Sequence, residues 1–162
     1  MLKHLTALTL LLFCFQSLAC NFAIVTLNPE INVLRSNQVK MLYRGRTSSI
    51  GGQPIRLMDL PKNSTQRQDF YYSLLNKSPA QMNAIWARQS FSGKTPAPNE
   101  VAHTSMKNIT LWLSKHPNGI AYVPVDMIPE QANVLFTLCN NCLLYTSPSP
   151  RDNPASRMPS SA

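Results

Sequence analysis

The sequence predicts an α/β domain in which a mixed sheet is flanked by helices in three layers. Short apolar runs rich in strand formers alternate with longer segments whose apolar residues recur at helical spacing. Their order is strand, helix, strand, two or three helices, strand, strand, and parallel neighbours in such a series need helical crossovers. Between a leader-like start and a low-complexity tail lie roughly 120 residues, enough for one compact core.

Residues 22–27, FAIVTL, form a short apolar run closed by Asn28-Pro29, which suits a buried first strand. Ser36 can cap a helix in which Val39, Met41, Leu42 and Tyr43 precede a stop at Gly45. Residues 47–54, TSSIGGQP, have turn chemistry and lead into a second strand, IRLMDL at 55–60, ended by Pro61. Asn63 with Gln66, or Ser64 alone, caps the next helix, whose apolar face is Phe70, Leu74 and Leu75. Ser78-Pro79-Ala80-Gln81 combines a cap serine, proline at the first helical position and glutamine at the third, and so starts a helix running through Trp86 toward Phe91. After a loop at 92–98, residues 100–116 are expected to be helical, with Met106, Ile109, Trp112 and Leu113 on one buried face and Pro117-Asn118-Gly119 as the stop. Two strands, IAYVPV at 120–125 and NVLFTL at 133–138, close the domain.

Residues 1–19 have the anatomy of a secretory signal peptide. Lys3 and His4 precede an apolar run at 5–15, and Ser17-Leu18-Ala19 supplies small residues at the expected cleavage site. That run is shorter than a spanning helix needs, and no later stretch approaches that length, so no transmembrane segment is expected in the mature chain. Lipid attachment to Cys20 is the lesser alternative, because Ser17 stands where a lipobox carries leucine. The domain is expected over residues 20–141. Residues 142–162 are rich in proline and serine, read as a disordered extension, and look like the in-frame translation of sequencing-adapter DNA. If so, Cys139-Asn140-Asn141-Cys142 is not a redox motif. Cys20 and Cys139 then remain at the two ends of the domain, where an oxidising compartment could pair them.

The formal charge of +8 suits several anionic partners. Its basic residues are scattered, without a block or interleaved aromatics, which disfavours nucleic acid. Catalysis needs a convergent set of groups. Outside the leader there are two histidines, His103 and His116, and widely separated carboxylates, so neither an enzyme, a metal site nor a cofactor is expected.

Five segments in order, NPEINV, LYRGR, PIRLMDLPKNSTQRQDFY, NKSPAQMNAIWARQSFSGK and LSKHPNGIAYVP, resemble short relatives of the substrate-binding proteins of phosphate ABC importers. The resemblance spans most of residues 22–138 and implies a single lobe of a type 2 periplasmic-binding-protein-like fold. Full-length members close two lobes on their ligand and deliver it to a permease, and this chain has room for one. The family holds its oxyanion with hydroxyls, helix-start amides and an arginine, because such amides carry partial positive charge. The matching segment here makes Ser64, Thr65 and Arg67 the candidate ligand residues. Ser36 forms a second lip, and Asp59 stands where the importers carry an arginine. A carboxylate there would repel a dianion, although the family tolerates an acid that accepts a hydrogen bond from protonated phosphate. Each residue also has a plain structural role: Asn63, Ser64 and Ser36 as helix caps, Tyr122 as core, and Trp86 and Trp112 as packing on apolar helix faces.

The resemblance implies a periplasmic, bacterial protein that captures a small phosphate-like oxyanion and works with an ABC permease or another envelope partner. The alternative is a non-transport interaction or accessory module that kept the lobe without binding phosphate.

Overall fold

The computed structural model describes residues 20–139. The expected signal peptide, the 142–162 tail and Cys142 lie outside them. The elements run β1 (Cys20–Thr26), α1 (Ser36–Tyr43), β2 (Ser49–Ile50), β3 (Gln53–Pro54), β4 (Arg56–Asp59), α2 (Thr65–Leu75), α3 (Pro79–Phe91), β5 (Asn99–Glu100), α4 (Met106–Lys115), β6 (Gly119–Pro124) and β7 (Asn133–Cys139).

One five-stranded sheet has the order β5-β4-β6-β1-β7, and β2 with β3 forms a separate hairpin. The sheet is mixed: β4 runs parallel to β5 and β6, while β1 is antiparallel to β6 and β7. In β1, Phe22, Ala23, Ile24 and Val25 are all buried, as are Ile120 to Val123 in β6. Successive strand side chains point to opposite faces, so continuous burial requires cover on both sides of the sheet. The fold is therefore a layered α/β lobe. At the end of β1, the buried Thr26 Oγ1 donates to the Gly119 carbonyl at 2.8 Å and ties that strand to the start of β6.

The core is centred on Phe22, Tyr43, Phe70, Tyr71 and Tyr122. Phe70 and Tyr122 stack with centroids 3.6 Å apart, and Tyr43 meets Phe70 edge-on at 4.9 Å. These rings come from β1, α1, α2 and β6, so they fix the placement of both helices on the central strands. Each contributes roughly 1.5–3 kcal/mol through burial. Gly45, which ends α1 with φ +66°, also allows the close approach of α3. A Cβ there would sit 2.8 Å from Trp86 Cζ3.

Two local expectations are corrected. The helix expected over 100–116 begins at Met106, because Ser105 caps it by accepting from the Asn108 N–H at 3.3 Å. Residues 99–100 are instead strand β5, paired with Met58 and Asp59, and the Val101 N–H donates to the Asp59 carbonyl at 3.0 Å. Ser36 is the first residue of α1 rather than its cap. The cap is Arg35, whose N–H donates to Gln38 Oε1 at 2.8 Å. The turn expected in TSSIGGQP is present, with Gly51 at φ +55° and Gly52 at φ +83° between the short paired strands β2 and β3.

A disulfide joins Cys20 to Cys139 across the adjacent strands β1 and β7. A sulfur bonded in this way has no valence left for a lipid thioether. No helix among the described residues is long and apolar enough to cross a membrane.

Candidate functional site

Strand β4 ends on Asp59, and the chain turns through Pro61 to Ser64 before entering α2. Ser64 caps this helix, its Oγ accepting from the Arg67 N–H at 3.2 Å. Five residues of α2 are buried, Arg67, Phe70, Tyr71, Leu74 and Leu75. Their spacing is one helical face, so Arg67 is carried toward the core with the apolar residues rather than out into solvent.

There Arg67 Nε donates to Asp59 Oδ2 at 2.8 Å, and the Tyr71 hydroxyl donates to the same oxygen at 3.2 Å. Asp59 Oδ1 accepts from the Tyr122 hydroxyl, whose oxygen in turn accepts from the Leu60 N–H at 3.1 Å. Arg67 Nη2 donates to Asn83 Oδ1 on α3 at 3.0 Å, and the guanidinium carbon lies 5.1 Å from the Tyr71 ring centroid. The third guanidinium nitrogen, Nη1, is buried and has no hydrogen-bond partner. Arg67 as a whole is 2% exposed.

Burial pushes the Asp59 carboxyl up from its ordinary value, and hydrogen bonds from Tyr122, Arg67 and Tyr71, with the Arg67 charge, pull it part of the way back. Burial also disfavours the Arg67 charge, but the adjacent Asp59 outweighs it and raises the guanidinium above its usual value. Tyr122 is pushed well up, first by burial and then by Asp59, so its hydroxyl keeps the proton it donates.

Asp59, Arg67 and Asn83 of this cluster line a cleft of about 360 Å³ between α2, α3 and the segment leading into β5. Two cations, Arg67 and Lys62, and two carboxylates, Asp59 and Glu100, line it. Lys62 and Glu100 pair at its rim, with Nζ 3.5 Å from Oε2. The remaining surface is Asn83 and Ser90 together with Trp86, Ala87, Ala97 and Pro98. Trp86 Nε1 is buried with no partner at full hydrogen-bond geometry, and it lies toward the Tyr71 hydroxyl, whose pKa burial raises most and the indole N–H lowers.

Of the residues expected at a site, Asp59, Ser64, Thr65 and Arg67 fall within one strand-to-helix turn. Ser64 spends its oxygen on the cap, and Thr65 is exposed, with Oγ1 3.4 Å from Gln66 Oε1. The Thr65 and Gln66 amides are among the helix-start donors that no carbonyl of the same helix can reach. Ser36 is not brought to this turn by α1. That helix meets the aromatic core through Tyr43 at its C-terminal end, and Ser36 is exposed at the other. Sequence reasoning missed Tyr71, Asn83, Lys62 and Glu100, and assigned Tyr122 to packing alone. Tyr71 had a readable signal, since it lies one helical turn after Arg67 on the same face. Asn83 and Glu100 had none. Among the described residues, no group of three or more His, Cys, Asp or Glu side chains could hold a metal ion.

No protein-family profile matches the sequence, and no curated protein matches it. Solved structures do share its fold. A protein assigned as a phosphate ABC transporter substrate-binding protein from Clostridium perfringens, solved with bound phosphate, superposes with a TM-score of 0.54 at 17% identity, over 72% of this chain and 44% of that one. An ABC-type phosphate transport receptor from Vibrio cholerae gives 0.53 at 14% identity, over 72% and 45%. The chain thus spans less than half the length of either, as a single-lobe relative would, and the likeness shows the fold.

Proposed function

We propose that this chain is an exported, periplasmic oxyanion-binding protein, a one-lobe counterpart of the substrate-binding components of phosphate ABC importers. The observation that carries this reading is Arg67, a buried arginine in the lining of a cleft whose guanidinium keeps one nitrogen, Nη1, without a partner. A buried charged donor left unsatisfied is costly, and an anion seated in the cleft would relieve it. The α2 start, with Ser64 and the amides of Thr65 and Gln66, adds positive potential beside it. Asp59 accepts from Arg67 and from two phenols, so it positions the guanidinium and leaves one face of it for the ligand. The Cys20–Cys139 disulfide supports export, since such bonds persist in oxidising compartments. Capture in this form needs no cofactor, and an ABC permease or another envelope protein would be the receiving partner. Isothermal titration with phosphate and with sulfate should show saturable heat. Its absence with both, and with small carboxylates as well, at millimolar ligand would sink the reading.

One observation favours an accessory module that does not bind phosphate. The Ser64 hydroxyl and two of the three Arg67 nitrogens are already satisfied within the lobe. On that reading Ser64→Ala weakens the helix and leaves recovery of an envelope partner unchanged.

A further inference from the structure

We infer that the anion taken by the Arg67 cleft is a small organic monocarboxylate, with a carboxylate head at Arg67 and a short apolar body on the opposite wall, rather than an inorganic dianion. The inference rests on the anion-binding reading above and narrows its ligand class. Three features of the cleft carry it.

The first is charge. Arg67 is paired to Asp59 at 2.8 Å and Lys62 to Glu100 at 3.5 Å, and all four line the cleft, so its formal charge sums to zero before any ligand enters. A dianion would bring two negative charges beside two carboxylates with neither cation free. A monoanion halves that repulsion. The second is donor supply. Arg67 Nη1 is the buried charged donor of the lining that lacks a partner, since the Trp86 indole N–H lies toward the Tyr71 hydroxyl. One such donor beside two acids suits a singly charged head, whereas a tetrahedral dianion would leave further oxygens to solvent and to the flanking carboxylates. The third is the wall itself. Trp86, Ala87, Ala97 and Pro98 present apolar surface that a phosphate or sulfate ion cannot use, and apolar lining with a few placed polar groups is the pattern of an organic-ligand site.

The test is titration of the disulfide-bonded full chain at neutral pH with four probes: butyrate, benzoate, phosphate and sulfate. Because removing Arg67 threatens the fold, the blocking variant is Ala87→Phe, at an exposed position of α3 whose enlargement fills the cleft and leaves the Asp59–Arg67 pair intact. The expected result is that butyrate or benzoate binds roughly tenfold or more tightly than either inorganic anion, and that Ala87→Phe weakens it by a similar factor at an unchanged melting temperature. Phosphate or sulfate binding as tightly as the carboxylates overturns the ligand class and leaves the oxyanion reading standing. Carboxylate affinity unmoved by Ala87→Phe overturns the location. No binding of any of the four overturns both proposals together.

Discussion

At the scale of single residues, the Asp59–Arg67 pair decides what the site can be. Both side chains are almost fully buried, and each is charged, so each depends on the other for compensation. Arg67→Met should lower the unfolding free energy by about 3–5 kcal/mol, because it strands a buried carboxylate among two phenols. Adding Asp59→Asn to that variant should recover part of the loss, making the double change less costly than the sum of the singles by roughly 1 kcal/mol or more in urea unfolding. Strict additivity would mean that the 2.8 Å contact carries no coupling. Arg67 was legible as a face residue, since its spacing to Phe70, Tyr71, Leu74 and Leu75 is helical. Its partner was not. Asp59 lies eight residues earlier, across a strand end and a turn, and only the direction in which β4 delivers its last side chain brings the two together. Proximity in sequence suggested an acid obstructing an anion site, whereas the structure makes that acid the acceptor that orients the arginine.

At the scale of elements, α1, α2 and β6 each contribute a tyrosine to one buried cluster, Tyr43, Tyr71 and Tyr122. All three phenols are raised well above their ordinary value, with burial the largest cause and Asp59 the second. A raised folded value gives stability that is complete below the unfolded value, about 10, and lost as pH climbs above it, since only the unfolded chain then releases the protons. Urea unfolding should therefore weaken above about pH 10 by up to ~1.4 kcal/mol per pH unit for each phenol. Tyr43→Phe is the informative variant, because its hydroxyl has no hydrogen-bond partner. It should remove about one third of the slope, and an unchanged slope would show that the buried phenols do not control alkaline unfolding. The cluster also explains why helix α2 serves two purposes: Phe70, Leu74 and Leu75 anchor it, and Arg67 and Tyr71, one turn apart, build the site from the same face.

At the scale of the whole molecule, the lobe closes on itself through its ends. Cys20 and Cys139 are 119 residues apart in sequence and adjacent across β1 and β7. Cross-linking so long a loop restricts the unfolded chain, so reduction should cost about 2–5 kcal/mol, read as a lower urea midpoint or melting temperature in the presence of a thiol. A midpoint indifferent to reductant would mean that the strand pairing of β1 and β7 alone holds the ends. The same scale governs function. The chain spans less than half the length of the solved structures it resembles, and the Arg67 cleft is walled by residues of this one lobe. On the proposed reading, its balanced charge and apolar lining carry the choice of ligand.

Whatever depends on neighbours along the chain was already legible before folding. The helix at 79–91 follows from Ser78, Pro79 and Gln81, the hairpin turn from Gly51-Gly52, and the central strands from the unbroken apolar runs at 22–25 and 120–123, because caps, turns and periodicity act within a few residues. Tertiary structure decided the rest. Asn99–Glu100 has no strand signature and becomes β5 only because the end of β4 offers it unpaired backbone groups. The partners of Asp59 come from α2 and from β6, and Tyr122 lies 63 residues away from it. Such contacts exist only once the sheet order is set, and sheet order is a property of non-local pairing that no local pattern encodes.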